Sequence, residues 1–211
     1  MTDKTSQIKA LNQKLEQSYQ TLPLVNNEKE VIPGEGNANA ELFFIGEAPG
    51  HQEYVERRPF VGRSGQLFRK TLGEVGIDEK SVYITNIIKA RPPENRDPSP
   101  QEIEAYKSFL NEEIEIVDPV LIVTLGRFSM RKFLPDASIS QVHGRLHKVK
   151  WLNTDKTLYV LPMYHPAAAL RGTAIKMSFV ADFKKILPAV QFIKNKKESE
   201  QITKDIEDLM L

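Results

Sequence analysis

Four stretches of the chain are nearly continuous in apolar residues: "ELFFIG" (41–46), "VYITNIIK" (82–89), "PVLIVTLG" (119–126) and "TLYVLPMYH" (157–165). Each is too short for a buried helix and fits a strand covered on both faces. Between them the apolar period changes to that of a helix. Ile8, Leu11, Leu15 and Tyr19 define an amphipathic helix over 3–19. Leu67, Phe68 and Leu72 turn inward in a second helix over 63–76, which Gly73 or Gly76 stops. Ser99 caps a third, with Pro100 in its first turn and early glutamates that suit the helix dipole. A short helix follows to about Phe133, and 174–193 reads as the last main helix. From Lys194 the tail is mostly charged, a frayed helix with Ile202, Ile206 and Leu209 on one face.

Strands alternating with helices predict an α/β domain of three layers, α/β/α, around a central and mostly parallel four-stranded sheet. We expect one domain over 1–211, with an N-terminal helix and arm (1–32), a core (33–192) and a charged tail (193–211). In such folds ligands bind beyond the carboxyl ends of the strands. The first strand ends in "GEAPG", the second in "KARPPENR" and the fourth in "YHPAAALR", so three unusual loops open on one edge.

Bulk properties narrow the class. The 211 residues suffice for one good core. Hydrophobic residues make up 40% and charged residues 27%, as in a soluble globular protein. No apolar run approaches the roughly 20 residues that span a bilayer, and "MTDKTSQIKALNQ" lacks the apolar core of a secretory signal. A cytoplasmic protein without membrane partners is expected. The net charge of +1 advertises no nucleic acid, so any such binding needs a local basic face. The absence of cysteine excludes disulfides, thiolate metal sites and cysteine nucleophiles.

"GEAPGHQEYVERRPFVGRSGQLF", "YITNIIKARPPENRDPSPQEI", "VTLGRF" and "LPMYHPAAALR" together resemble the uracil-DNA glycosylase superfamily, in its family 4 form. The resemblance runs from about Pro33 to about Leu187. A lone "GEAPG" would be weak, but four motifs in order make chance a poor account. The family implies a DNA-repair hydrolase that flips uracil out of DNA and cuts its glycosidic bond. It also implies an iron–sulfur cluster held by four cysteines. By the flanking motifs those positions hold Tyr19, Leu22, Ala90 and Tyr106, none of them a thiolate. We therefore expect no cluster and apolar packing in its place.

The resemblance assigns roles, each beside a plainer one. Phe60 matches the aromatic floor under the flipped base, where otherwise it is a core phenylalanine. Asn86 offers a donor and an acceptor side by side, which pair with uracil O4 and N3. A strand-end asparagine otherwise caps a turn. His165 stabilises the departing uracil anion, whereas His51, His143 and His147 are read as structural. "HGRLH" (143–147) lacks a third ligand, so no metal is expected. Glu47 positions water and favours the sugar cation; otherwise it braces a loop. Asn95 hydrogen-bonds Glu47, or serves as a turn residue. Gly46, Ala48 and Gly50 let backbone amides approach the base. Gly50 stands where other uracil glycosylases have a methyl-blocking tyrosine, and Glu53 is the candidate for that duty. Leu170 or Arg171 is the minor-groove wedge. Lys89, Arg91, Arg96, Arg127 and Arg171 are placed to hold phosphates.

The expected substrate is uracil-containing DNA, single- or double-stranded, cut by a monomer. No motif lysine is placed for a Schiff base, so strand cleavage is not expected. Two other readings stay open: a non-catalytic binder of uracil or single-stranded DNA, and a glycosylase for another deaminated base.

Overall fold

The computed structural model describes residues 3–152 and 154–209, with the side chains of 204–209 outside the description. The strands are β1 (Glu35–Gly36), β2 (Leu42–Gly46), β3 (Tyr83–Asn86), β4 (Leu121–Leu125), β5 (His147–Lys150) and β6 (Thr157–Met163). The α-helices are α1 (Lys4–Gln17), α2 (His51–Glu56), α3 (Arg63–Glu74), α4 (Pro100–Val117), α5 (Arg127–Arg131), α6 (Ile139–Val142), α7 (Pro166–Ala169), α8 (Thr173–Phe183) and α9 (Ile186–Leu209).

The sheet order is β1-β3-β2-β4-β6-β5. The four apolar runs form its parallel middle, β3-β2-β4-β6. The expected four-stranded sheet is thus a six-stranded one. Its two extra strands are short antiparallel edges, β1 on β3 and β5 on β6. Glu35–Gly36 is too short to show alternation. "HKVK" alternates half-buried and exposed, an edge pattern without a continuous apolar run.

Alternation along each central strand sends side chains to two cores. Phe43, Ile45, Tyr83, Ile122 and Val160 face the layer of α1 and α4, with Leu11, Leu15, Leu110 and Ile114. Leu42, Phe44, Ile84, Val123 and Leu161 face α3, α8 and α9, with Phe68, Leu72, Phe179, Phe183 and Ile193. Full burial of each such side chain contributes about 1.5–3 kcal/mol. Asp3 caps α1 by accepting from the Ser6 amide. Ser99 and Glu102 form a reciprocal capping box on α4. No described helix is long and apolar enough to cross a membrane.

The helix expected over 174–193 is two helices. α8 ends at Phe183 and α9 starts at Ile186. Pro188 explains the break: inside a continuous helix its ring would strike the Lys184 carbonyl, whereas it fits the first turn of a new one. The tail expected to fray continues α9. Ile202 is exposed there, and the side chains of Ile206 and Leu209 lie outside the described residues.

The four positions that resemble cluster ligands belong to the first core. Leu22, Ala90 and Tyr106 are buried in it, and Tyr19 packs against it. The Tyr106 hydroxyl donates to the Pro23 carbonyl at 2.6 Å, tying the N-terminal arm to α4. Close by in sequence is a buried ion pair. Lys89 is fully enclosed, and its Nζ lies 2.6 Å from Oε2 of Glu113, itself 1% exposed. Thr85 bonds both partners, and the Tyr83 hydroxyl reaches Glu113. Lys89 was expected to meet phosphate; its burial removes it from that role.

Removing one partner of this pair strands a buried charge, which costs about 3–5 kcal/mol. Lys89→Met and Glu113→Leu should each lower the unfolding free energy by about that much in urea titrations. The double variant should lose far less than the sum, because both charges leave together.

Candidate active site

The carboxyl ends of β2, β3, β4 and β6 surround a cleft of about 580 Å³. Its walls include Glu47, Ala48, Gly50, Glu53, Phe60, Asn86, Asn95, Arg96, His165 and Arg171, so most of the residues singled out from the sequence meet in one place. Gly46 lies in the wall behind them. It pairs in register with Asn86 across β2 and β3. A side chain on Gly46 would overlap both Asn86 Oδ1 and the Phe60 ring, so only glycine lets those two approach. Phe60 itself has φ +57°, an uncommon conformation for a bulky residue. Its ring packs 4.9 Å from that of Phe68 and 6.1 Å from the His165 imidazole. Asn86 is 3% exposed, and among the described residues none hydrogen-bonds its side chain. Its donor and acceptor are thus available to a ligand.

His165 caps the short helix α7. Its Nδ1 accepts from the Ala167 amide at 3.1 Å, which leaves the ring proton on Nε2. Burial pushes its pKa down to about 4, and the charge of Arg171 adds to the shift. The imidazole is therefore a neutral donor at pH 7. Gly126, at φ +99°, seats the ring: a side chain there would lie 3.1 Å from His165 Cβ.

Glu47 moves the opposite way. Burial pushes its carboxyl up to about 7; nearby Asp97 raises it further and Arg127 opposes. Asp97 and Arg127 pair with each other at 2.5 Å. Among the described residues no hydrogen bond reaches the Glu47 carboxylate. Asn95, expected to provide one, has a different partner: its Oδ1 accepts from Arg91 Nε at 2.9 Å. Arg91 also lies 3.3 Å from His51 Nδ1. Glu53 is nearly buried, and its Oε1 accepts from the Val61 and Gly62 amides at 3.0 and 2.8 Å. The residue expected to block a methyl group is thus a brace of the Phe60 loop, with its other oxygen against Gly50.

On the rim, Leu170 is 44% exposed at the end of α7 beside Arg171. Arg96 forks onto Glu102 at 2.9 and 2.6 Å, so its charge is largely matched. Its hydrogen bonds hold the Glu102 carboxyl down to about 2. Sequence reasoning gave no role to Asp97, Gly126, Ser64, Ile139 or Tyr164, which also line the cleft. Gly126 was the most accessible of these, since a glycine ending a buried strand marks a close approach.

The cleft lies at the strand ends of a doubly covered sheet and brings together an aromatic ring, a free amide, a neutral imidazole and a carboxyl. The profile described as "Uracil DNA glycosylase superfamily" matches residues 33–191, and the chain belongs to that superfamily. It is 41% identical over 161 residues to a type-4 uracil-DNA glycosylase of Archaeoglobus fulgidus, covering 74% of this chain and 79% of the relative. It is 43% identical over 161 residues to one from Sulfurisphaera tokodaii, covering 74% and 72%. A third, from Thermotoga maritima, is 39% identical over 172 residues, covering 82% and 88%. The four core positions do not fit the iron–sulfur cluster that the family implies. They provide no thiolate, and the Tyr106 hydroxyl is already engaged. Among the described residues no group of three or more His, Cys, Asp or Glu side chains is arranged to hold a metal.

The two shifted groups make opposite contributions to stability. His165 binds its proton near 6.5 unfolded and near 4 folded, so stability falls as pH drops through that interval. Glu47 loses its proton near 4.5 unfolded and near 7 folded, so stability falls as pH rises between those values. In urea titrations from pH 4 to 8, His165→Asn should flatten the acid-side loss and Glu47→Gln the neutral-side loss.

Proposed function

We propose that this chain excises uracil from DNA by hydrolysing the bond between the base and its sugar, leaving an abasic site and cutting no strand. The observation that carries the reading is the convergence of Phe60, Asn86 and His165 on one cleft over Gly46. The nucleotide leaves the stack to enter the cleft. Phe60 is the floor on which uracil lies. The Asn86 amide donates to O4 and accepts from N3–H. Cytosine reverses that pattern and leaves buried groups unpaired, which is costly.

As the C1′–N1 bond breaks, its electron pair goes to the base and negative charge grows on O2. The neutral His165 donates Nε2–H to that oxygen, and a preorganised donor aimed at developing charge is a large catalytic term. Glu47, when ionised, stabilises the sugar cation, orients the water that adds to C1′ and accepts the proton that this water releases. Burial sets its ionisation, which Asp97 raises further and Arg127 opposes. Leu170 or Arg171 fills the space left in the duplex, and Arg91 faces phosphates, with Arg96 and Arg127 at the same rim exchanging their Glu102 and Asp97 partners for phosphate oxygens. Glu53 and Gly50 shape the wall that a thymine methyl would meet. Asn95 acts through Arg91, holding the loop after β3.

The enzyme works without an iron–sulfur cluster, its N-terminal arm held by Tyr106 and the apolar packing of Tyr19, Leu22 and Ala90. We place it as a monomer of one domain in the cytoplasm, acting on single- or double-stranded DNA. Labelled oligonucleotides carrying uracil or a deaminated purine, incubated and then treated with alkali, test the function. Cleavage only at uracil is expected. Binding without cleavage, or cleavage only at the purine, would overturn it.

His165→Ala and Glu47→Gln should each slow single-turnover excision by about 10²–10³ while sparing DNA affinity. The wild-type rate should rise with pH through a midpoint near 7 as Glu47 ionises, and Glu47→Gln should remove that rise. Unchanged rates in both variants would reject the two assignments.

Asn86→Asp tests base reading. A protonated aspartate donates to cytosine N3 and accepts from N4, as asparagine does with uracil. Burial raises its carboxyl pKa and keeps that proton. The variant should lose most uracil activity and gain slow cytosine excision, fastest at mildly acidic pH. Uracil excision at the wild-type rate would show that Asn86 does not read the base.

A further inference from the structure

The floor residue sits in a backbone conformation that its own chemistry disfavours. Phe60 has φ +57° and a bulky side chain, so the surrounding structure must hold it there. Three constraints surround it. Gly65 on α3 has no side chain, and one would overlap the Phe60 carbonyl group. Glu53 holds the next two amides, Val61 and Gly62. The third constraint is Arg69, two turns into α3. Its Nε donates to the Phe60 carbonyl at 2.8 Å, and its Nη2 donates to the Pro59 carbonyl at 2.9 Å.

The guanidinium is itself fixed. Nη2 also meets Glu35 Oε1 at 2.7 Å, Nη1 meets Glu79, and the side chain is only 16% exposed. Glu35 is in turn forked by Arg58 at 2.8 and 3.0 Å. One planar cation thus joins two successive carbonyls of the floor loop to two carboxylates, on β1 and on the turn before β3. A lysine ammonium cannot reproduce that fork.

We propose that Arg69 is a positioning residue for excision: it clamps the Pro59–Phe60 backbone and so aims the aromatic floor at the base. Nothing in the side chain of Arg69 meets substrate; its effect passes through Phe60. The inference rests on the reading of Phe60 as the uracil floor. Small displacements of a positioning group are expensive, about 10²-fold in rate for 1 Å. Freed of the clamp, residue 60 relaxes toward an ordinary backbone conformation and its ring leaves the line from Asn86 to His165.

A double-mutant cycle on single-turnover uracil excision tests this, with Phe60→Ala, Arg69→Met and the double variant. Alone, Arg69→Met should slow excision by about 10- to 100-fold, and Arg69→Lys should restore part of the rate. In the Phe60→Ala background, Arg69→Met should change the rate by less than about twofold, because the ring it aims is gone. Independent, multiplying losses would overturn the clamp, since a general loss of structural integrity would persist without the ring. Where Arg69→Met yields no folded protein, Arg69→Lys takes its place in the same cycle under the same criterion. If Phe60→Ala alone excises at the wild-type rate, the floor reading fails instead, and with it the basis of the clamp.

Discussion

The site depends on one close approach, that of Asn86 and the Phe60 ring over Gly46. The register of β2 and β3 sets Gly46 opposite Asn86, and the missing side chain lets the amide and the ring occupy one volume. That contact brings a loop after one strand onto the end of its neighbour. It also explains why the loop after β2 is so heavily braced. Phe60 cannot fall into its position by backbone preference, so Gly65, Glu53 and Arg69 supply the constraint from three directions. Precision at the floor thus adds a steric limit at Gly65 and polar contacts from Glu53 and Arg69 to the packing of the ring on Phe68.

The segment after β3 is held differently. Ile87 and Ile88 donate to the Gly46 and Glu47 carbonyls, so the chain follows β2 past the end of the ladder. Lys89 then turns inward to Glu113 on α4, and its carbonyl accepts from Ile32 in the N-terminal arm. Ala90 and Tyr106 meet Leu22 in the same core. Where the family implies a metal cluster joining arm, loop and helix, this chain joins the same three parts by an ion pair, a tyrosine hydroxyl and apolar packing. A cluster cross-links by coordinate bonds. The packing instead depends on exclusion of water, so the arm is as secure as the core around it.

The layers and the parallel strands were legible because strands buried on both faces must be apolar at nearly every position. The edge strands were not: Glu35–Gly36 is too short for any period, and His147–Lys150 shows half its residues to water. Pro188 could have shown the break between α8 and α9, but apolar residues on both sides masked it. The site residues were legible as motifs, since glycine, proline and aromatic residues at strand ends have few other uses. Their partners were not. Asn95 turns to Arg91 four residues before it rather than to Glu47, a choice set by the local loop conformation, and Lys89 engages Glu113 because charge pairing across the fold depends on three-dimensional distance, which spacing along the chain does not encode. Arg69 lay hidden for the same reason, as one basic residue among many on a helix.

The electrostatics of the cleft follow from its enclosure. Burial disfavours charge on both Glu47 and His165, and so moves their pKa values in opposite directions, to about 7 and about 4. In the proposed reaction a histidine that stays neutral donates a hydrogen bond to the growing anion without first repelling cationic character on the sugar. A carboxyl poised near neutrality ionises readily when positive charge develops beside it. Asp97 and Arg127 sit on the second group as opposing weights.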